Sequence, residues 1–282
     1  DEYRTTCGVR KIEVAGRNIL LNGEKVLLKG LVWLEDHEQY GSALSYEAME
    51  KDMALVRQLG ANALRFGHHP PHPYMLDLCD RYGILALIEL PLKNVPASIL
   101  AHEHYIETAG NALREMIVRD RNHPSVLAWG LGDEFETWSE GARAFVEPMV
   151  KLARGLDSRP LYYASSNVND ACSDLTDITA ITLTTRDIKE FKKELSDARS
   201  NAAKPLMIVK MGGEVQPDNN NGYADPLSLQ AQARYFLQHF DVVRASDIDG
   251  AFLWAFNDWR GDRPALTVNT GNPWMHTLGL VS

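Results

Sequence analysis

Three cysteines in 282 residues, Cys7, Cys79 and Cys172, are too few and too scattered for a disulfide framework, and no Cys-x-x-Cys pair marks a zinc site. Each reads as a small apolar packing residue. No apolar run approaches the ~20 residues of a membrane-spanning helix. No run of Lys and Arg exceeds two residues, and 29 basic against 38 acidic side chains leave a formal net charge of −9. That argues against a nucleic-acid surface and weakly favours neutral or basic ligands over anionic ones. No Pro/Ser-rich linker, internal repeat or low-complexity tract divides the chain. It begins with Asp1 and carries no signal peptide, so a fragment or a processed form is expected.

What is present is an alternation of short apolar runs with helical periods. The opening residues 1–26 read as a small β entry segment, with Asn22-Gly23 as a hairpin turn. Over 27–282, strands are predicted at Leu27–Val32, Ala63–Phe66, Ile84–Glu89, Val126–Leu131, Leu161–Ala164, Ile178–Leu183, Leu206–Val209 and Gly250–Phe256. Helices are predicted at Ser45–Leu59, Tyr74–Arg81, Ser98–Arg119, Gly141–Leu156, Asp187–Asn201 and Ser228–Arg244, and residues 166–177 read as loop. Strands this apolar, with little alternation, suit a parallel sheet buried on both faces. Eight of them with intervening helices point to an α/β fold, either a closed (β/α)8 barrel or a doubly wound sheet.

In such barrels the site forms at the C-terminal ends of the strands. Those ends are polar here: Arg65 and His68, Glu89, Asp133 and Glu134, and Lys210, with Trp254 in the eighth strand. One charged residue at a strand end is usually rim; a converging set with a tryptophan points to a pocket. His68, His69 and His72 present no i, i+4 pair on a helix face, so neither a metal site nor a cofactor is expected. Trp33, Trp138, Trp259 and Trp274 remain either core anchors or sugar platforms.

The motifs carry a resemblance. Arg119-Asp120-Arg121-Asn122-His123-Pro124-Ser125, followed by Trp129-Gly130-Leu131-Gly132-Asp133-Glu134, is similar to the RDRNHPS and W-S-L-G-N-E signatures of the β-galactosidase and β-glucuronidase family, glycoside hydrolase family 2. Leu28-Lys29-Gly30 with Glu35-Asp36-His37, Arg65-Phe66-Gly67-His68-His69-Pro70, Asp77–Ile84, Lys204-Pro205-Leu206 and Gly250–Trp254 resemble further stretches. Thr5–Val14 resembles the junction leading in from a preceding β-sandwich domain. The resemblance spans nearly the whole chain. It implies a (β/α)8 barrel acting on or binding a β-glycoside, with flanking β-sandwich domains in the full-length protein.

By that resemblance Glu134 falls on the acid/base position, and Arg65, His68, Glu89 and Trp254 on substrate-binding positions. The family's retaining chemistry uses two carboxyl groups roughly 5–5.5 Å apart. Where the nucleophilic glutamate is expected, this chain has Lys210. An ammonium opposes the positive charge developing at the anomeric carbon and favours the ionised form of a neighbouring acid, so hydrolysis is expected to be impaired. Further departures are Asp133 for the family's asparagine, Val32 and Trp33 for Asn and Arg, and Thr182 and Thr184 near an expected Asn and Tyr. Four readings of Lys210 stand open, one of them that it is an introduced or sporadic change in an otherwise active lineage. It pairs with Asp133, Glu134 or both in a structural ion cluster of a pseudoenzyme used for binding or assembly. Alternatively Glu214, brought inward by Gly212-Gly213, replaces the nucleophile. Or Lys210 is itself a Schiff-base nucleophile, which nearby acids oppose.

Overall fold

The computed structural model describes residues 8–168, 170–261, 265 and 274–281. Cys7 and the first residues of the Thr5–Val14 stretch lie outside them. Three short strands, β1 (Ile12–Ala15), β2 (Asn18–Leu21) and β3 (Glu24–Lys25), form an antiparallel sheet. Eight parallel strands then close a barrel: β4 (Leu28–Trp33), β5 (Ala63–Phe66), β6 (Leu85–Glu89), β7 (Val126–Asp133), β8 (Leu161–Ser165), β9 (Thr179–Thr182), β10 (Leu206–Met211) and β11 (Gly250–Leu253). The pairing β10–β11–β4 closes the ring. β12 (Trp259–Arg260) and β13 (Met275–His276) form a separate ribbon.

The helices are α1 (Tyr46–Gln58), α2 (Pro73–Tyr82), α3 (Ala97–Leu100), α4 (Glu103–Asp120), α5 (Glu140–Leu156), α6 (Ile188–Asn201) and α7 (Leu229–Ala245). Local chemistry sets their starts. Ser45, Ser139 and Ser228 each accept from a backbone N–H three residues on, and Asp187 accepts from those of Lys189 and Glu190. The single helix predicted over Ser98–Arg119 is two, because the chain breaks at Ala101–His102 and restarts with Glu103 in its first turn. No helix occupies residues 166–177 among those described, as the sequence suggests. None of the described helices is long and apolar enough to cross a membrane.

Strand parity divides the core in two. Ala63, Leu85, Leu87, Leu127, Tyr162, Met207, Val209 and Phe252 fill the barrel interior. Leu64, Phe66, Ala86, Ile88, Trp129 and Leu131 face the helices on one side, and Leu206, Ile208 and Met211 face them on the other. Trp33 and Trp129 are buried core anchors, and Trp33 donates to Asp52 Oδ2 at 2.8 Å.

The N-terminal end of the barrel is closed by polar locks. Asp249 takes the backbone N–H groups of Ile19 and Leu206, tying β2 to the floor. Asp80 of α2 accepts from His123 and from the Ser125 backbone at the entry to β7. Arg10 donates to the Pro124 and Val126 carbonyls. The first half of the 119–134 signature thus holds the floor, while its end reaches the opposite rim. On the outer wall, Leu27, Leu59, Phe236, Phe240 and Leu280 line an apolar groove of about 530 Å³ beside β4 and β11.

Candidate active site

Parity explains which polar groups enter the barrel. Arg65 lies two residues after inward Ala63, and Glu89 two after inward Leu87, so both project inside the rim. Parity alone would not bring Asp133 or Lys210 there. β7 shifts register between Gly130 and Asp133, and β10 between Ile208 and Met211. Such irregularities re-aim a side chain. They let Lys210 follow inward Val209 without taking the outward place of Met211. Glycine makes two close approaches possible. A Cβ on Gly130 would stand 2.5 Å from the Glu89 Cβ and 2.8 Å from the Tyr162 ring, and one on Gly212 would stand 2.1 Å from the Trp254 carbonyl oxygen. We expect Gly212→Ala to force β10 and β11 apart at the rim and to cost about 1–3 kcal/mol in equilibrium denaturation. An unchanged denaturation midpoint would show that the two strands have slack there.

Arg65 is the hub. Fully buried, it donates from Nε to Glu89 Oε2 at 3.1 Å, from Nη2 to Glu89 Oε1 and to Asp133 Oδ1 at 3.0 and 2.8 Å, and from Nη1 to the Val209 carbonyl at 3.0 Å. Tyr162 donates its hydroxyl to Glu89 Oε2 at 3.1 Å, and the His68 backbone N–H donates to Glu89 Oε1 at 2.9 Å. Burial alone would raise the Glu89 pKa. The Arg65 charge and the His68 bonds outweigh it and hold the carboxyl down at about 2. Burial likewise works against the Arg65 charge, and Glu89 with Asp133 reverses that effect, so the guanidinium stays firmly protonated. His68 and Glu134, the residues following two strand ends, both adopt left-handed backbone conformations, φ 64° and 49°. Non-glycine residues held so cluster at functional sites.

Lys210 meets one of its two expected partners. Its Nζ lies 3.4 Å from Glu134 Oε2. Asp133 instead belongs to Arg65, with His68 Nδ1 3.5 Å from its other oxygen, so the ion cluster predicted around Lys210 is a pair beside a separate buried triad. The cause is that Arg65, arriving by strand parity, already fills the interior next to Asp133. The Lys210 ammonium also lies 4.6 Å from the centroid of the Trp254 ring. Trp254 is buried against Trp259 and His68.

Glu214 follows Gly213 beyond the end of β10. Its carbonyl accepts from Arg186, and it lines a groove with Arg186, Pro226, Gln232, Arg234 and Tyr235 that contains none of Arg65, Glu89, Glu134 and Lys210. Gly212 and Gly213 stand in close contact with Trp254 and Arg186.

Sequence reasoning missed two residues. Tyr162 was legible as the second residue of a predicted strand, inward by parity. Lys93 sits four residues past Glu89, with its ammonium 5.3 Å from the Trp254 centroid, and no pattern marked it. Asp77, Asp80 and His123 have ligand atoms close enough for a metal ion. They lie at the floor, and Asp80 already spends both oxygens on His123 and Ser125.

The sequence matches the TIM barrel domain of glycosyl hydrolases family 2 over residues 12–272. It is 27% identical over 306 residues to a β-glucuronidase of Streptococcus agalactiae serotype V, covering 95% of this chain and 50% of that one. Among solved structures, it is similar to a β-galacturonidase from Eisenbergiella tayi bound to galacturonate (TM-score 0.89, 28% identity, 98% of this chain and 51% of that one). It is also similar to a β-glucuronidase of Faecalibacterium prausnitzii (TM-score 0.88, 29% identity, 99% and 49%). The chain thus spans about half the length of these relatives. With a closed eight-stranded parallel barrel and a match that runs through almost all of it, the chain belongs to glycosyl hydrolase family 2, as its TIM barrel domain.

Proposed function

We propose that this barrel binds a β-linked glycoside at its C-terminal rim, of the uronide kind named for its relatives, and that retaining hydrolysis is impaired. The observation that carries the reading is the contact between Lys210 Nζ and Glu134 Oε2, 3.4 Å, where double displacement calls for two carboxyl groups facing one sugar. An ammonium has no lone pair with which to attack, and its charge opposes an oxocarbenium-like centre. The Arg65, Glu89 and His68 framework supports retained binding. Glu134 takes the acid/base position in this reading, and Trp254 forms the wall of the site. The full-length protein is inferred to carry further domains, β-sandwiches by the family resemblance, because the relatives are about twice as long.

The test is a panel of activated aryl β-galactosides, β-glucuronides and β-galacturonides incubated with the purified protein. No turnover above background is expected. Robust turnover would overturn the impairment, and its disappearance in Glu214→Ala would move the nucleophile to Glu214.

A further inference from the structure

Tyr235 on α7 is only 9% exposed, yet no acceptor in the protein takes its phenolic hydrogen. The Gly212 backbone lies beside the oxygen and, with Arg186, favours the anion, but burial outweighs both and pushes the pKa up to about 12. The group is therefore a hydrogen-bond donor at neutral pH. Its ring is fixed by stacking on His239, 3.7 Å between centroids. Gln232 lies three residues earlier, on the same side of the helix. Its amide nitrogen is likewise buried without a partner. A buried donor left unpaired costs about 1–3 kcal/mol, so two on one helix face call for acceptors from outside the chain.

Both side chains line the groove of about 260 Å³ between α7 and the segments that follow β9 and β10. Its opposite wall is held in place by Arg186. Nη1 donates to the Pro226 carbonyl at 2.7 Å and Nη2 to the Glu214 carbonyl at 2.6 Å, which straps the segment after β9 to the connection between β10 and α7. Gly213 permits the strap, since a Cβ there would stand 2.7 Å from Arg186 Nε. The charges around the groove balance: Arg186 and Arg234 are met by Asp187 and Glu214. The volume falls below the roughly 300–1,000 Å³ of pockets for drug-sized ligands. A single small unit of no net charge, carrying several oxygens, fits that size and that balance.

We propose that this groove is a second sugar site, on the flank of the barrel, which takes one neutral sugar unit through the Tyr235 hydroxyl and the Gln232 amide. A sugar hydroxyl accepts from such donors and can donate in turn to a carboxylate such as that of Asp187. The site contains none of Arg65, Glu89, Glu134 and Lys210, so it goes beyond the rim reading and stands whether or not the rim binds a glycoside. It is nonetheless close to the rim. Gly212, beside the Tyr235 hydroxyl, packs against the Trp254 carbonyl on its other side. A free hexose and a unit within a longer chain present the same hydroxyls, and the experiment separates them.

Backbone amide and tryptophan indole NMR signals would be followed while galactose, β-1,4-galactotriose or glycerol is added to the parent, Tyr235→Phe and Gln232→Ala. Saturable shifts are expected at Gly213 and Ala231 with the sugars and not with glycerol. Tighter binding of the trisaccharide assigns a longer chain, and equal binding a free sugar. Each substitution should weaken the response about fivefold, the loss of one hydrogen bond, and leave any response of the Trp254 indole as in the parent. The melting temperature of Tyr235→Phe should be unchanged or higher, because the hydroxyl it removes has no acceptor in the protein. Absence of saturable shifts at Gly213 and Ala231 means that the groove holds water only and overturns the proposal. Glycerol binding as tightly as galactose, or undiminished binding or lower melting in Tyr235→Phe, overturns it as well. Shifts confined to Trp254 overturn the flank site and leave the glycoside reading standing.

Discussion

Replacing Arg65 with methionine is expected to remove on the order of 3–5 kcal/mol of folding stability at neutral pH, because it leaves two carboxylates buried without a counter-charge. Glu89 and Asp133 are fully buried, and Arg65 is their shared cation. The pH dependence carries the sharper signature. In the parent, the Glu89 pKa is held at about 2, below the ~4.3 of an unfolded glutamate. A depressed folded pKa contributes stability that is present above the unfolded pKa and lost as pH falls from about 4.3 toward 2. In Arg65→Met, burial acts on Glu89 without its main counterweight, only the His68 bonds still opposing it, and its pKa is expected to rise above the unfolded value. The sign then inverts: the carboxyl folds most easily when protonated, and the penalty grows as pH rises through the unfolded pKa. Urea titrations at pH 3.5 and pH 7 should show the variant closest to the parent at the acid end. A loss of equal size at both pH values would mean that Arg65 contributes packing and not charge. Arg65→Lys keeps the charge without the fork of donors and should fall between the two proteins, which gives a reading even where the methionine variant folds poorly.

How far the sequence could be read follows from which rules governed each residue. The eight strands were legible because a parallel barrel buries each on both faces, so each appears as a short apolar run. Arg65 and Glu89 could be placed inside the rim by parity within those runs. Asp133 and Lys210 required the register shifts in β7 and β10, which have no sequence signal beyond Gly132 and Gly212-Gly213. The sequence leaves Lys210 a choice of Asp133, Glu134 or both, and the barrel gives Asp133 to Arg65 and Glu134 to Lys210. The break between α3 and α4 was missed because apolar spacing continues across it. Lys93 was invisible because its place depends on an irregular extension of β6 bridging to β7, and a lysine past a strand end is ordinarily a solvated one. The site was therefore readable where strand geometry is regular and unreadable where it departs from regularity.

The largest change in chemistry is expected from Lys210→Glu, which returns a second carboxyl group to the rim opposite Glu134. In the parent the two side chains are 13% and 23% exposed and 3.4 Å apart, so solvent screens part of their attraction. Lys210→Ala should therefore cost only about 1 kcal/mol, seen as a small drop in the melting temperature. Lys210→Glu should cost more, because like charges a few ångströms apart do not both stay ionised and one carboxyl takes up a proton. That retained proton is what a general acid needs, and the second carboxylate supplies the nucleophile that double displacement requires. Turnover of an activated aryl β-uronide is expected to rise from background to a measurable rate despite the lower stability. It should decline as pH rises and the shared proton is lost. Adding Glu134→Gln to Lys210→Glu should abolish turnover of a poor leaving group first, since departure of a good one needs less protonation. A folded Lys210→Glu protein without turnover would show that Asp133, Thr182 and the other departures from the family pattern had also disabled the site. Unchanged melting in both single variants would show that Lys210 is a solvated rim residue, and its pairing with Glu134 could then no longer account for why a lysine is tolerated there.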